Sequence, residues 1–562
     1  MQTDGVLESH TPQPKKKKIM PIVVALILVV VVGAVTAMAM SAFKSPKAVY
    51  LSAELKGVQE TTKWVTEGLD KYKQTIAPYL EKPVYTTMEI SDLTIGPVPG
   101  DPELSHVLDV LKEATLSIDN AVDEKNGKTY SKVSLALKNN HLLGLEVFSD
   151  QERMGFGVPE IYNKYGIINV KDIDEFNKKY NAQLPKKVVS YQDLAEAIEV
   201  DQSELLPIAA VYGKLYADSI TDEQVTIKKD GTFEEGGTKI PSREITVTFS
   251  DSQFKELMKK LSDTVAADEK LHELLYKRYS NIVNLLKDSG YPIQDSDVIS
   301  KEKFVDNIKA SMKDLVAELD KGDAVSSVKM VLNVDGSDRI LKRTVTLTSP
   351  DKKETITMKS AKWTEGEAEK GVFQIVTDSL RGEDVDMSVG FAKETKDQTT
   401  NGSFELKVDE LWDKKVENSM VFTTSYKSTR DGNKESGDIN FRIGLQEDGV
   451  NQTLSGNVYA VTETTGEKRN AEYKVKLNTG ERAEEEELPE VIQFSLKSTE
   501  EFGKEAQFPS LSKDHSLDLV NMTDSEANQV MMEVQMGAQA FMLKNMGLFQ
   551  QLGLIPDIPE MY

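Results

Sequence analysis

The 562 residues contain no cysteine. That excludes disulfides, thiolate metal sites, a cysteine nucleophile and lipid attachment at a cysteine. A chain of this size without bridges must rely on its apolar core, and it is long enough to bury a large one in two lobes. Histidine is scarce. His10, His106, His141, His272 and His515 stand alone, with no H-E-x-x-H or other ligand spacing, so zinc hydrolysis has no support. No G-x-S-x-G elbow occurs, and no S-x-x-K set lies in a usable context. Gly155-Phe156-Gly157 lacks the third glycine of a dinucleotide turn. No catalytic residue, metal or cofactor is assigned on these grounds.

Long apolar runs are absent too, with one exception. Ile19 to Phe43 carries no charge and is dominated by Val, Ile, Leu, Ala and Met. At about 1.5 Å per residue it spans roughly 37 Å as a helix, enough for a hydrocarbon core of about 30 Å with some tilt. Lys15, Lys16, Lys17 and Lys18 crowd its N-terminal flank, whereas Lys44, Lys47 and Lys56 are spread thinly beyond the other end. The positive-inside rule then predicts a single-pass transmembrane helix over 19–43, a cytoplasmic N-terminus and an exported bulk. Ala37-Met38-Ala39 also fits the cleavage pattern of a removable export signal, which would give a secreted form. Residues 1–18, with Pro and charge but little to bury, read as a polar cytoplasmic tail.

Positive charge is the minority. The chain has 68 Lys and Arg against 92 Asp and Glu. Removing the four lysines, one aspartate and one glutamate of residues 1–43 leaves 64 against 90, a net of −26. Such a surface repels nucleic acid and anionic polymers and favours cationic, neutral or apolar partners.

Beyond residue 43 the hydrophobic period predicts an α+β fold. Pro46–Leu80 has helical spacing, with Leu51, Leu55, Val58, Trp64, Val65, Leu69 and Tyr72 near one stripe. "PVYTTMEISDLTI" reads as a strand, and a short helix follows near Glu103–Lys112. From Thr115 the period becomes two, with turns at Asn126-Gly127, Asn139-Asn140 and Ser149–Gln151. Val133, Leu135, Leu137 and Leu143, Leu145, Val147 are the expected buried face of this meander. Helical pieces follow over 171–215. Two strands, near Glu223–Lys229 and Glu244–Ser250, then flank a Gly-rich loop. A long helix is expected over Asp251–Lys287, opened by a Ser250/Gln253 capping box, and another near Lys301–Asp320. Val325–Leu496 reads as about ten strands of an up-and-down sheet, too wide to stay flat. "ERAEEEELPE" is an acidic loop before a last strand. The expected lobes are 44–320, mixed helix and antiparallel sheet, and 321–562, mostly strand. Whether the two strand blocks share one sheet is left open by the sequence.

Three stretches imitate chemistry-bearing motifs. "GTFEEGGT" (Gly231–Thr238) nearly matches a P-loop, but Gly237 replaces its lysine and a strand follows, so it reads as a strand connection. "NVDGSD" (Asn333–Asp338) looks like a calcium loop without its closing glutamate and reads as a type I′ hairpin. His272-Glu273 reads as a partly exposed pair on a helix.

Methionine is concentrated at the end of the chain. A helix over Asp524–Asn545, capped by Thr523 and Glu526, carries Met531, Met532, Val534, Met536, Phe541 and Met542. Flexible, polarizable methionines suit a soft lining for a lipid or other apolar ligand, and they suit equally a helix that closes the sheet.

A membrane segment followed by a curled meander with long helices against it resembles the half-barrel of lipoprotein carriers of the LolA and LppX kind. The serial hairpins of Thr115–Ile161, ending in "VPEIYNKY", also resemble a group of uncharacterised membrane-anchored extracytoplasmic proteins of spore-forming Gram-positive bacteria. The resemblance is architectural and transfers no binding residue. It implies a non-enzymatic envelope protein that shelters a lipid or apolar ligand. The competing expectation is a structural or regulatory interaction module with an envelope protein partner.

Overall fold

The structure is a computed structural model. It describes residues 45–96, 108, 110–294, 297–321, 327–349, 354–379, 382–447, 450–479, 490–505, 507–509, 511–512 and 514–551. The expected transmembrane helix with Ile19 and Phe43, the Lys15–Lys18 flank, the acidic loop and most of the short helix near 103–112 lie outside these residues. Among the described residues no helix is long and apolar enough to cross a membrane.

The fold is α+β, built on one open sheet that has 20 strands among the described residues. The first block comprises β1 (Val84–Ile95), β2 (Ala114–Asp123), β3 (Lys128–Leu137), β4 (Asn140–Ser149), β5 (Arg153–Gly157) and β6 (Tyr165–Asn169). A hairpin follows, β7 (Val225–Glu235) and β8 (Thr238–Phe249). The second block comprises β9 (Ser327–Val334), β10 (Ile340–Thr348), β11 (Thr355–Glu365), β12 (Ala368–Asp378), β13 (Glu383–Lys396), β14 (Thr399–Trp412), β15 (Lys415–Asp431), β16 (Lys434–Glu447), β17 (Val450–Thr465), β18 (Lys468–Asn478) and β19 (Val491–Phe502). The short β20 (Ser516–Asp518) closes the count. From β7 to β19 every strand pairs antiparallel with the next, and so does every strand from β1 to β6. β1 joins the two blocks, because its other edge pairs with β19, Val84 opposite Phe502 and Ile90 opposite Leu496. The two strand blocks are therefore one sheet. β20 adds a parallel pairing to β6.

Among the described residues eight helices complete the fold: α1 (Pro46–Glu81), α2 (Ile173–Tyr180), α3 (Tyr191–Ile198), α4 (Gln202–Asp218), α5 (Asp251–Ala267), α6 (Glu269–Asp288), α7 (Lys301–Lys321) and α8 (Asp524–Gln551). The expected single helix over 251–287 is two. Asp268 ends the first turn path and caps the second helix, its carboxylate accepting from Leu271 N at 3.0 Å. His272 is buried rather than partly exposed. Its Nε2 meets the carbonyl of Val265 at 2.7 Å, closing the end of α5. The Ser250/Gln253 and Thr523/Glu526 capping boxes are present.

Three turns differ from expectation. The positive-φ pair between β3 and β4 is Lys138 and Asn139, one residue earlier than the Asn139-Asn140 turn. The Gly-rich segment is not a loop between short strands. β7 and β8 extend into it, and Gly236 and Gly237, at φ 54° and 82°, form a two-residue hairpin turn. The Asn333–Asp338 segment is not a type I′ turn, since among its central residues only Asp338 has positive φ. Asp335 is engaged by donors of its own turn. Its Oδ1 accepts from Ser337 N (2.8 Å), Ser337 Oγ (2.8 Å) and Arg339 N (3.0 Å), and its Oδ2 accepts from Arg339 Nε (2.8 Å). Burial opposes ionisation there, but these donors win and hold the carboxyl down to about 2.

The main core lies at one end of the sheet. Ile245, Val247, Val328, Met330, Leu332, Val345 and Leu347 of β8–β10 meet Tyr50 and Leu51 of α1, Tyr216 of α4, and Phe254, Leu257 and Met258 of α5. Each fully buried side chain of this size stabilises by roughly 1.5–3 kcal/mol.

At the other end α8 packs on β3 and β4. Phe541, Leu548 and Phe549 lie against Leu137 and Leu142. This overturns the face expected for the first meander. Leu142, Gly144, Glu146 and Phe148 of β4 are buried, whereas Val133, Leu145 and Val147 are exposed. A bulge between Leu135 and Ala136 offsets the two strands and turns Leu137 to the α8 side. α8 crosses the turn after β5 so closely that a Cβ on Gly537 would stand 1.8 Å from the Ile161 carbonyl oxygen. Nearby, the Tyr162 hydroxyl donates to Glu533 at 2.9 Å.

That contact predicts a reversed helix propensity. Gly→Ala in a helix interior ordinarily stabilises by up to about 1 kcal/mol. Gly547→Ala, which meets nothing within 4 Å, follows that rule. Gly537→Ala instead destabilises by about 1–3 kcal/mol, as overpacking does. Hydrogen exchange across 524–551 and the thermal midpoint report both. Equal behaviour of the two variants would remove the Ile161 contact from the fold.

Candidate functional site

Residues paired across antiparallel strands share a face. One cross-strand row therefore samples the same face of ten strands: Val225, Val247, Met330, Val345, Met358, Ile375, Met387, Val408, Met420 and Leu445. Every member is apolar. The first five are buried beneath helices, the next three are partly covered, and Met420 and Leu445 are 39% and 44% exposed. The sheet thus carries its core-forming face well beyond the helices that cover it.

Neighbouring rows repeat the pattern. Phe373, Val389, Leu406, Phe422, Ile443 and Leu454 form one. Phe391 and Phe404 are paired in the next, 43% and 37% exposed, and Phe441 lies on the same row. The opposite face of these strands carries Lys407, Thr423, Arg442, Lys474 and Lys476. The apolar face continues into the first block through Leu496, Ile90, Leu116, Leu135 and Leu143, and through Met88, Ile118, Val133 and Leu145.

Glycines shape this floor. Gly371 faces Phe391, Gly402 faces Tyr426, and Gly456 faces Phe441. A Cβ on each would stand 2.2–2.5 Å from the ring opposite. The rings therefore lie across their glycine partners instead of standing upright, and they present flat aromatic faces.

α1 bridges the floor. Near its N-terminus Tyr50 and Tyr216 share a 2.7 Å hydroxyl contact in the core, and Glu54, 3% exposed, pairs with Arg343 of β10. Burial works to lower the Arg343 pKa, but Glu54 outweighs it and raises it. Burial, then Glu54, pushes the Tyr50 hydroxyl well above the usual phenol range. Twenty-five residues later, about 38 Å along the helix, the Tyr79 hydroxyl donates to Glu500 of β19 at 2.7 Å and accepts from Arg469 of β18 at 3.2 Å. Its ring meets Phe502 edge-on at 5.1 Å. Residues 70–75 between these anchors are exposed.

Beneath the helix is a cleft of about 950 Å³, lined by Val58, Thr61, Phe391, Phe404 and Tyr426 with Glu60, Arg343, Lys362, Glu369 and Lys393. A second cleft, about 540 Å³, lies further along the same strands. Val408, Met420, Leu445 and Val450 line it together with Glu410, Asn418, Gln446, Glu447 and Gln452.

The residues singled out on the last helix are placed elsewhere. Met531, Met532, Met536 and Met542 are exposed, Val534 is half-buried, and Phe541 packs on the Leu137–Leu142 cluster. None of them lines either cleft. Among the described residues no cluster of His, Asp and Glu could hold a metal. His141 Nε2 meets Glu160 at 2.5 Å, and the Ser512 hydroxyl meets His515 Nδ1 at 2.8 Å. Glu160 also accepts from Gly144 N at 3.0 Å; burial raises its pKa, but these partners prevail and lower it. Both histidine pairs read as local links within their own segments.

No protein-family model matches the chain, and no curated protein matches it. Among solved structures it is similar to OmpT, an outer membrane protein of Vibrio cholerae, at 6% identity and a TM-score of 0.20, over 75% of this chain and 96% of that one. The anion-selective porin from Comamonas acidovorans gives 7% identity and 0.20, over 75% and 100%. Acinetobacter baumannii OccAB3 gives 6% and 0.22, over 75% and 99%. Scores this low establish no common fold, and the likeness carries no functional argument.

The Glu54–Arg343 pair gives a test of how α1 is held. Glu54→Leu leaves a half-buried guanidinium unpaired and costs about 1–3 kcal/mol in chemical denaturation. Glu54→Leu combined with Arg343→Met costs clearly less, because no buried charge is stranded. A double variant as damaged as the single one would mean that the pair does not hold the helix.

Proposed function

We propose that this is a membrane-tethered extracytoplasmic protein without enzymatic activity, whose curved sheet shelters a lipid or other apolar ligand. The observation that carries this is the row from Val225 to Leu445, which stays apolar after its helical cover ends. Large contiguous apolar patches on soluble surfaces mark interaction sites. Here the patch is a trough floored by rings and spanned by α1, not a flat face. Concave, mostly apolar sites with few polar groups are the usual form of small-molecule sites. The tether is the uncharged run Ile19–Phe43 with its four-lysine flank, which puts the sheet outside the cell membrane.

A photoreactive long-chain acyl probe added to cells making the full chain tests the site. Crosslinks are expected on β12–β16, and they fall severalfold in Phe404→Asp. Labelling confined to residues 19–43 would overturn the reading.

The absence of cysteine supplies the topology test. Thr465→Cys, in the exposed β17–β18 turn, is expected to react with a membrane-impermeant maleimide on intact cells. Reaction only after permeabilisation would place the sheet in the cytoplasm.

A further inference from the structure

The geometry points to a ligand of one chemical class: a single-chain amphiphile with a cationic head, its chain along β14 and β15 and its head in the 540 Å³ cleft. This rests on the apolar-ligand reading of the floor and adds polarity and direction to it.

Two observations carry it. First, one strand pair runs from one cleft to the other. Along β15 the floor runs Met420, Phe422, Thr424, Tyr426, flanked on β14 by Val408, Leu406, Phe404 and Gly402. Met420 lines the second cleft and Tyr426 the first. Six residues separate them, about 20 Å at roughly 3.4 Å per residue. An extended chain of about sixteen carbons, built on bonds of roughly 1.5 Å, has that length. The row between the clefts matches an alkyl chain in length and lining.

Second, its two ends differ in charge. Under α1 both signs of charge are present: Lys362 pairs with Glu369, which also stands opposite Lys393, Arg343 pairs with Glu54, and Glu60 lines the same cleft. At the far end the lining charges are Glu410 and Glu447, with no cation among the described lining residues. Glu410 accepts from Asn418 Nδ2 at 3.0 Å, which orients its carboxylate. Asn418, Gln446 and Gln452 supply only neutral polar groups. Two carboxylates beside Met420 and Leu445 offer complementarity to an ammonium and repel a carboxylate or phosphate head. The net charge of −24 adds to that bias.

The test uses the full chain in nanodiscs and three twelve-carbon probes below their micelle concentrations: dodecyltrimethylammonium, dodecanol and dodecanoate. Each displaces an environment-sensitive acyl fluorophore from the protein. The variant is the double change Glu410→Gln with Glu447→Gln, compared on the same nanodiscs so that partition into lipid cancels. The expected result is a preference of about tenfold or more for the ammonium over the alcohol, lost in the double variant while dodecanol binding persists. Equal affinities for all three probes would overturn this inference and leave the apolar site standing. Tightest binding of dodecanoate would overturn it by reversing the polarity. No displacement by any probe would remove the inference and the proposed function together.

Discussion

The architecture depends on β1. It is the only strand, among the described residues, that pairs with both strand blocks, with β2 on one edge and β19 on the other. Over Val84–Ile90 both edges of β1 are occupied, so the two ladders fix the register on either side. Because the side-chain period is two, that register also decides the face. Ile90 and Met88 point to the side that carries Leu496 in the second block and Leu116 and Ile118 in the first. Slipping either ladder by one residue would turn an apolar face to the wrong side over several strands at once.

A face so extended sets a packing problem. A sheet must bury its apolar side against another layer. The helices solve this at the β7–β11 end, with the core around Phe254 and Met330, and α8 covers the Leu137–Leu142 cluster of β3 and β4. Between these ends the only helical element above the floor, among the described residues, is α1, and it touches near its termini. Glu54–Arg343 and Tyr79–Glu500 set its height and direction, while its middle faces water. Flattening Phe391, Tyr426 and Phe441 onto glycines lowers the floor further. Each of these features works against filling the trough with protein.

Much of this was legible in the residues. The helix from Pro46, the strands from β9 to β19 and both capping boxes follow from period and end signals alone, because each is decided by neighbours in sequence. The buried face of the first meander was not legible. Its strands are apolar on both sides, Leu145 and Val147 on one and Leu142 and Phe148 on the other, and segments distant in sequence decide which side is covered: α8 meets Leu142, while Tyr165 and Phe508 cover Phe148. Asp268 shows a different limit: an aspartate within a periodic apolar pattern looks like a solvated position, and only its bond to Leu271 N makes it a cap. The site itself was half legible. The alternation of Phe404, Leu406 and Val408, and of Met420 and Phe422, is plain, but exposure is a property of what fails to pack above it. Methionine content drew attention to α8, where Met531, Met532 and Met536 turn outward. The methionines that matter to the trough, Met387 and Met420, are scattered one per strand and carry no compositional signal.

The same reasoning explains why the trough is asymmetric. At the α1 end, every lysine or arginine that could act on a ligand stands near a carboxylate, from α1 or from the adjoining strand, so the helix that bridges the floor also neutralises it. Glu410 and Glu447 lie at the far ends of their strands, beyond the reach of α1, and keep their charge without an opposing cation in the lining. A field that grows along an apolar channel favours one orientation of any amphiphile that enters it. Position along the strand and distance from a single helix are enough to give the channel a direction.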